Sequence, residues 1–195
     1  MILYYLVMIL AALFVLKGIY NWVHAAVLRI SLYIRLRGVC KSREYEMNMP
    51  RFIFASFVRY SSRPDIIIKT GGVDYLIRII TCRQRKRVYH FVSHEWYVRV
   101  FRYYLLSLAF HSGTPLVLSR RARRLPPLDE SFLSGEGDIK KQVVLLFNPS
   151  PLEITFNSPR EGGKKVAANG TDYDGWLIYN GKAFSRMLGE DGSEE

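Results

Sequence analysis

The hydrophobic pattern opens with a long apolar run. Ile2 to Leu16 carries no charged residue and no proline, Lys17 interrupts it, and Gly18 to Val23 continues it. From Ile2 to Trp22 a helix would measure roughly 31 Å, enough for a hydrocarbon core of about 30 Å. Tyr4 and Tyr5 stand at one end, Tyr20 and Trp22 at the other, where interfacial aromatic rings are favoured. Lys17 is close enough to the second end to extend its amine to the interface. Core helices are shorter than this run, and a cleaved signal peptide would carry basic residues before it, whereas nothing basic precedes Lys17. The pattern therefore predicts a transmembrane helix. Between Val23 and Leu36, apolar Val27, Leu28, Ile30, Ile34 and Leu36 alternate with arginines. This predicts that the helix continues along the inner leaflet with its basic side on anionic headgroups.

Beyond the helix the period shortens. Ser42 is a candidate cap for a short helix ending near Pro50, and Arg51–Tyr60 is aromatic-rich and reads equally as strand or helix. From Pro64 onward, Ile66–Lys69, Tyr75–Cys82, Val88–Ser93 and Trp96–Arg102 are apolar runs separated by Gly71-Gly72, Arg83–Arg87 and His94-Glu95. Such spacing predicts an antiparallel meander. Tyr103–Phe110 reads as a helix and Thr114–Ser119 as a short strand, while Arg120–Gly137, with RRARR and Pro126-Pro127, reads as loop. Gln142–Phe147 is a continuous apolar run, the mark of a strand buried on both faces. Leu152–Phe156 and Trp176–Tyr179 are further strands. Gly181–Leu188 is a closing helix with Phe184, Met187 and Leu188 inward. The expected class is α+β. Residues 1–37 would form a transmembrane and juxtamembrane helix, 38–188 a mixed-sheet α/β domain, and 189–195 an acidic tail.

Charge sharpens this picture. Of the net +11, residues 1–128 carry +16 and residues 129–195 carry −5. The basic half adjoins the apolar run, and Arg29, Arg35, Arg37, Lys41 and Arg43 all lie on its C-terminal side. The positive-inside rule then places the domain in the cytoplasm. Anionic lipid is the expected partner, at about 1 kcal/mol per basic residue near the surface; nucleic acid is the weaker alternative. The candidate phosphate or headgroup residues are Arg83, Arg85, Lys86, Arg87, Arg120, Arg121, Arg123 and Arg124. The two cysteines, Cys40 and Cys82, make no CxxC and are expected to be free thiols.

Candidate chemistry is sparse. There is no GxGxxG or Walker motif, Ser112-Gly113 and Ser134-Gly135 lack a nucleophile-elbow setting, and Cys82, His90 and His94 lack metal-site spacing. Asn169-Gly170-Thr171 is a glycosylation sequon, which a cytoplasmic domain would not use. Pro64-Asp65, immediately before one strand and followed across a glycine turn by the next, resembles the start of the restriction-endonuclease-like, PD-(D/E)XK or nuclease-related core. The later VVLLFNPSP and GWLIYNGKAFSRML resemble its closing strand–helix units. The chain also resembles small single-pass membrane proteins of Gram-positive bacteria.

The resemblance implies an aspartate and an acid–x–lysine pair around a divalent metal. Here the second motif falls on Arg78-Ile79-Ile80, so a cation stands where the acid is required. Asp74, on the same strand face as Arg78, is the remaining candidate beside Asp65 if the protein is a nuclease. The resulting expectation is a membrane-anchored, non-catalytic binding or scaffold module with a degenerate nuclease-like core and no cofactor, acting with a protein partner that the sequence does not name. A membrane-tethered, metal-dependent nuclease or nucleic-acid-binding protein is the alternative. In place of a metal, a charge-assisted contact between Asp65 and Arg78 is expected.

Overall fold

The computed structural model describes residues 2–50, 61–81, 88–92, 95–99, 122–134, 139–148, 153–156, 163–165, 168–173 and 175–190. The apolar run and the segment after it form one unbroken helix, α1 (Ile2–Ser42). Its two halves have different surroundings. From Leu3 to Val23 every described large apolar side chain is 45–73% exposed. From Ala25 onward one stripe turns inward: Ala25, Ala26, Arg29, Leu32, Leu36 and Cys40 are buried. Their spacing of three and four residues keeps them on one face of the helix.

That stripe lies on a six-stranded mixed sheet of order β1-β2-β3-β7-β11-β10. Its strands are β1 (Glu46–Asn48), β2 (Ile66–Lys69), β3 (Val73–Thr81), β7 (Lys140–Asn148), β10 (Thr171–Tyr173) and β11 (Trp176–Asn180). β1, β2 and β3 are antiparallel, β3, β7 and β11 run parallel, and β10 returns antiparallel on β11. Alternation along the strands divides two cores. Tyr75, Ile77 and Ile79 of β3 with Val144 and Leu146 of β7 face Leu32, Leu36 and Cys40 of α1 and Phe184 and Leu188 of α3 (Gly181–Glu190). Ile80, Leu145, Phe147 and Ile178 face the other way.

The second face is covered by another sheet, of order β6-β5-β4-β8-β9. It comprises β4 (Val88–Val92), β5 (Glu95–Arg99), β6 (Ala122–Leu125), β8 (Glu153–Phe156) and β9 (Gly163–Lys165). Trp96 and Leu125 reach from it into the core, with the Trp96 and Trp176 rings 6.5 Å apart. A short helix, α2 (Glu130–Leu133), follows β6.

Several expectations are corrected. The meander does not form one sheet: β2 and β3 pair in the first and β4 and β5 in the second, and β3 takes β7 as its other neighbour. β7 pairs with all nine residues of β3 and sets its apolar run Val143–Phe147 against Leu76–Ile80, whereas β4 is five residues long. Ser42 ends α1 rather than starting another helix. Its hydroxyl donates to the Val39 carbonyl, and Tyr45 N–H bonds the Cys40 carbonyl across Glu44 at φ 60°. This is the six-to-one bond of a Schellman cap. Within the expected loop Arg120–Gly137, residues 122–125 pair with β5 as an edge strand. Arg29 and Leu36 lie on the sheet rather than along a leaflet. The readings for Arg51–Tyr60, Tyr103–Phe110 and Thr114–Ser119 fall outside the described residues.

Other expectations hold. Gly71-Gly72 turns β2 into β3, with Gly71 at φ 88°, a conformation that glycine adopts without a Cβ penalty. α3 starts at Gly181, capped by the Asn180 side chain accepting from Ala183 N–H at 2.8 Å, and turns Phe184 and Leu188 inward.

Leu36 is fully buried, and truncating it leaves a cavity between α1 and the sheet. Leu36→Ala should lower domain stability by about 3 kcal/mol. Leu10→Ala, on the exposed half, should leave it within about 0.5 kcal/mol. Chemical unfolding of the full chain in detergent, followed by tryptophan fluorescence, distinguishes the two.

Candidate functional site

Asp65, the residue around which the nuclease resemblance turns, sits one step before β2. The paired register stops at Ile66 and Ile77, and one step beyond it Asp65 N–H bonds the Ile77 carbonyl at 2.8 Å. The β2 pairing stops at Ile66, so Ile79 has no strand partner on that side, while the residue itself is 5% exposed. A buried peptide group without a partner is costly. Two side chains supply what the missing strand would. The Asp65 carboxylate accepts from Ile79 N–H at 2.8 Å, and the Arg29 guanidinium donates to the Ile79 carbonyl at 3.2 Å. Arg29 Nε also donates to the Thr81 hydroxyl at 2.8 Å. Nearby, Asn148 at the end of β7 donates to the Leu28 carbonyl at 2.7 Å. α1, β3 and β7 are tied together at this point.

Arg78 is 3% exposed. Its guanidinium donates to the carbonyls of Ser61 and Pro126 and lies 5.5 Å from the centroid of the Trp176 ring. Asp129 N–H bonds the Ser62 carbonyl at 2.9 Å, so the segments flanking Arg78 also meet each other. A buried cation is stable only where hydrogen bonds satisfy it, and these carbonyls do so. The position that would need an acid for metal binding thus holds a cation bonded to two chain segments.

Asp74, the second nuclease candidate, is not brought to Asp65. It pairs with Lys69 in the register, four residues along β3 from Arg78, roughly 13 Å at the usual strand rise. Two carboxylates so separated do not share one cation. Asp74 instead belongs to a cross-strand row of alternating charge: Glu46, Lys69, Asp74 and Lys141 occupy successive strands at one register position. Glu46 Oε2 and Lys69 Nζ are 3.0 Å apart. The hydrogen bond and charge of Glu46, with a smaller contribution from Asp74, push the Lys69 pKa above its ordinary value. Lys141 reaches the other way, donating to the carbonyls of Phe132 and Ser134 at 2.9 and 2.8 Å at the end of α2. Among the described residues, no group of three or more His, Cys, Asp or Glu side chains converges.

Of the candidate phosphate or headgroup residues, Arg123 and Arg124 lie on edge strand β6, Arg124 exposed. Arg83, Arg85, Lys86, Arg87, Arg120 and Arg121 fall outside the described residues, as do Cys82 and His94. Arg29 and Asn148 carry the junction but escape sequence reasoning. The signal for Arg29 is its place in the three-and-four spacing of Ala25, Leu32, Leu36 and Cys40; for Asn148, its place at the end of an apolar strand run. Comparison with protein families, curated proteins and solved structures finds no match.

If Asp65 completes the β3 edge, Asp65→Ala should cost about 2 kcal/mol of stability, the scale of a hydrogen bond to a charged group, and Asp65→Asn less. Thermal or urea unfolding measures this. Unchanged stability in both variants would contradict the role.

Proposed function

We propose that this chain is a single-pass, membrane-anchored binding or scaffold module without catalytic chemistry, its domain on the cytoplasmic side. The observation that carries the reading is the division of α1: an apolar half of about 31 Å with exposed side chains, joined without a break to a half that forms the domain core. A helix exposed in this way is costly in water and favourable in lipid. Ala25 and Ala26 are helical and buried, which favours an anchor over a signal sequence cut at those small residues.

Orientation rests on the basic flank. Arg35, Arg37 and Lys41 are exposed on α1 beyond the apolar half, while the opposite end has no lysine or arginine. The basic sequence Arg83–Arg87 begins two residues after Thr81, which Arg29 holds. This favours anionic headgroups as the ligand of those residues. An unnamed protein is the further partner.

The core reads as a degenerate relative of the restriction-endonuclease-like fold. Support comes from the neighbourhood of Asp65, which bonds Ile77 and Ile79 on either side of Arg78, the position where that family carries an acid. An Asp65 carboxylate engaged with Ile79 N–H favours a structural role over metal catalysis.

The test is topological. Gly72 is exposed in open space at the β2–β3 turn, so Gly72→Cys introduces an accessible thiol. In a full-length chain with both native cysteines replaced, it should remain unlabelled by an impermeant thiol reagent on intact cells, become labelled after lysis, and stay with membranes through an alkaline wash. Labelling from outside would overturn the orientation, and release by the wash would overturn the anchor. Mg²⁺- or Mn²⁺-dependent cleavage of nucleic acid by the purified chain, lost in a folded Asp65→Ala variant, would replace this reading with the nuclease.

A further inference from the structure

The contacts along α1 fix which end of the domain faces the bilayer, an inference that rests on the anchor reading above. Leu28 and Arg29 touch the C-terminal ends of β7 and β3, through Asn148 and through Ile79 and Thr81. Leu32 packs at the start of α3, where a Cβ on Gly181 would come within 2.7 Å of its Cδ1. Arg43, at the other end of α1, donates to the Gly189 carbonyl near the end of α3. α3 therefore runs in the same direction as α1, and β3 runs against it.

Together these contacts give a vertical scale. Arg29 is seven residues past Trp22, roughly 10 Å along the helix, and Leu32 roughly 15 Å. Gly72 precedes Thr81 by nine residues, roughly 30 Å farther from the bilayer at the usual strand rise.

We infer that the end of the domain formed by the C-termini of β3, β7 and β11 and the start of α3 rests at the lipid headgroup layer, and that the β2–β3 turn points into the aqueous phase. The residues at that end fit such a surface. Thr81, Asn148, Asn180 and Lys182 offer polar groups and one exposed cation, and the Asp65 carboxylate at that end is engaged with Ile79 N–H. The opposite end mixes both signs: Glu44, Glu46, Asp74 and Glu190 stand beside Lys41, Arg43, Lys69, Lys140 and Lys141. Charge does not separate the two ends, so the orientation rests on the contacts along α1. The aqueous end is then the part of the first sheet within reach of a soluble partner.

Two exposed positions test this, Lys182→Cys and Gly72→Cys, each in the full-length chain with Cys40→Ala and Cys82→Ser. Each is labelled with a small fluorophore and reconstituted into phosphatidylcholine–phosphatidylglycerol vesicles, with and without a nitroxide on the lipid headgroup. From expected heights of roughly 15 and 40 Å, quenching at residue 182 should exceed that at residue 72 by at least about twofold. Equal quenching, or stronger quenching at residue 72, in protein that floats with the vesicles overturns the orientation while leaving the anchor standing. Protein that does not float removes the anchor and the orientation with it.

Discussion

The peptide group of Ile79 is the point on which the architecture depends. β3 continues past the end of β2, and on that side its backbone is buried without a neighbouring strand, while β7 flanks the other side. An aspartate from the preceding segment takes the N–H and an arginine from α1 takes the carbonyl. Neither contact is large by itself, but together they meet a cost that would otherwise weigh against extending β3 to Thr81. They also locate the helix on the sheet. With Arg29 fixed at Ile79 and Thr81, the stripe Leu32, Leu36 and Cys40 falls on the face made by Ile77, Tyr75 and Ile68. Arg78, one residue away, turns to the opposite face and binds the carbonyls of Ser61 and Pro126. Two consecutive residues of β3, Arg78 and Ile79, thereby connect the helix, the segment before β2 and the segment after β6.

Much of this was legible in the sequence where one physical requirement dominated. The apolar run, the glycine turn at Gly71-Gly72, the doubly buried strand around Val144–Phe147 and the amphipathic closing helix each follow from a single local pattern. The illegible parts depend on competition between distant segments. Val88–Val92 is as good a strand as any, but the local pattern does not say that β7 outcompetes it for the edge of β3. Arg29 reads as a surface cation because its partners, Ile79 and Thr81, lie fifty residues or more away in the chain. Asp65 reads as a metal ligand by its motif. Its role at Ile79 becomes visible only with the register, which also sets Asp74 too far along the strand to join it.

On the proposed reading, α1 is a single helix with two surroundings. The apolar half, interrupted only by Lys17 between Ile2 and Tyr20, exposes apolar side chains as a lipid-facing helix does; the other half follows the rules of a globular core, with one buried stripe and exposed Arg35 and Arg37 opposite. No glycine–proline break separates them, and Gly38 lies in open space within the helix. The central claim is that α1 crosses from one environment to the other without bending. Spin labels at Ala12→Cys and Arg37→Cys in the bilayer-reconstituted full chain, with both native cysteines replaced, measure this by pulsed dipolar spectroscopy. An unbroken helix predicts a single narrow distance distribution near about 38 Å, from 25 residues at 1.5 Å each. A broad distribution, or one centred well below that value, would contradict it.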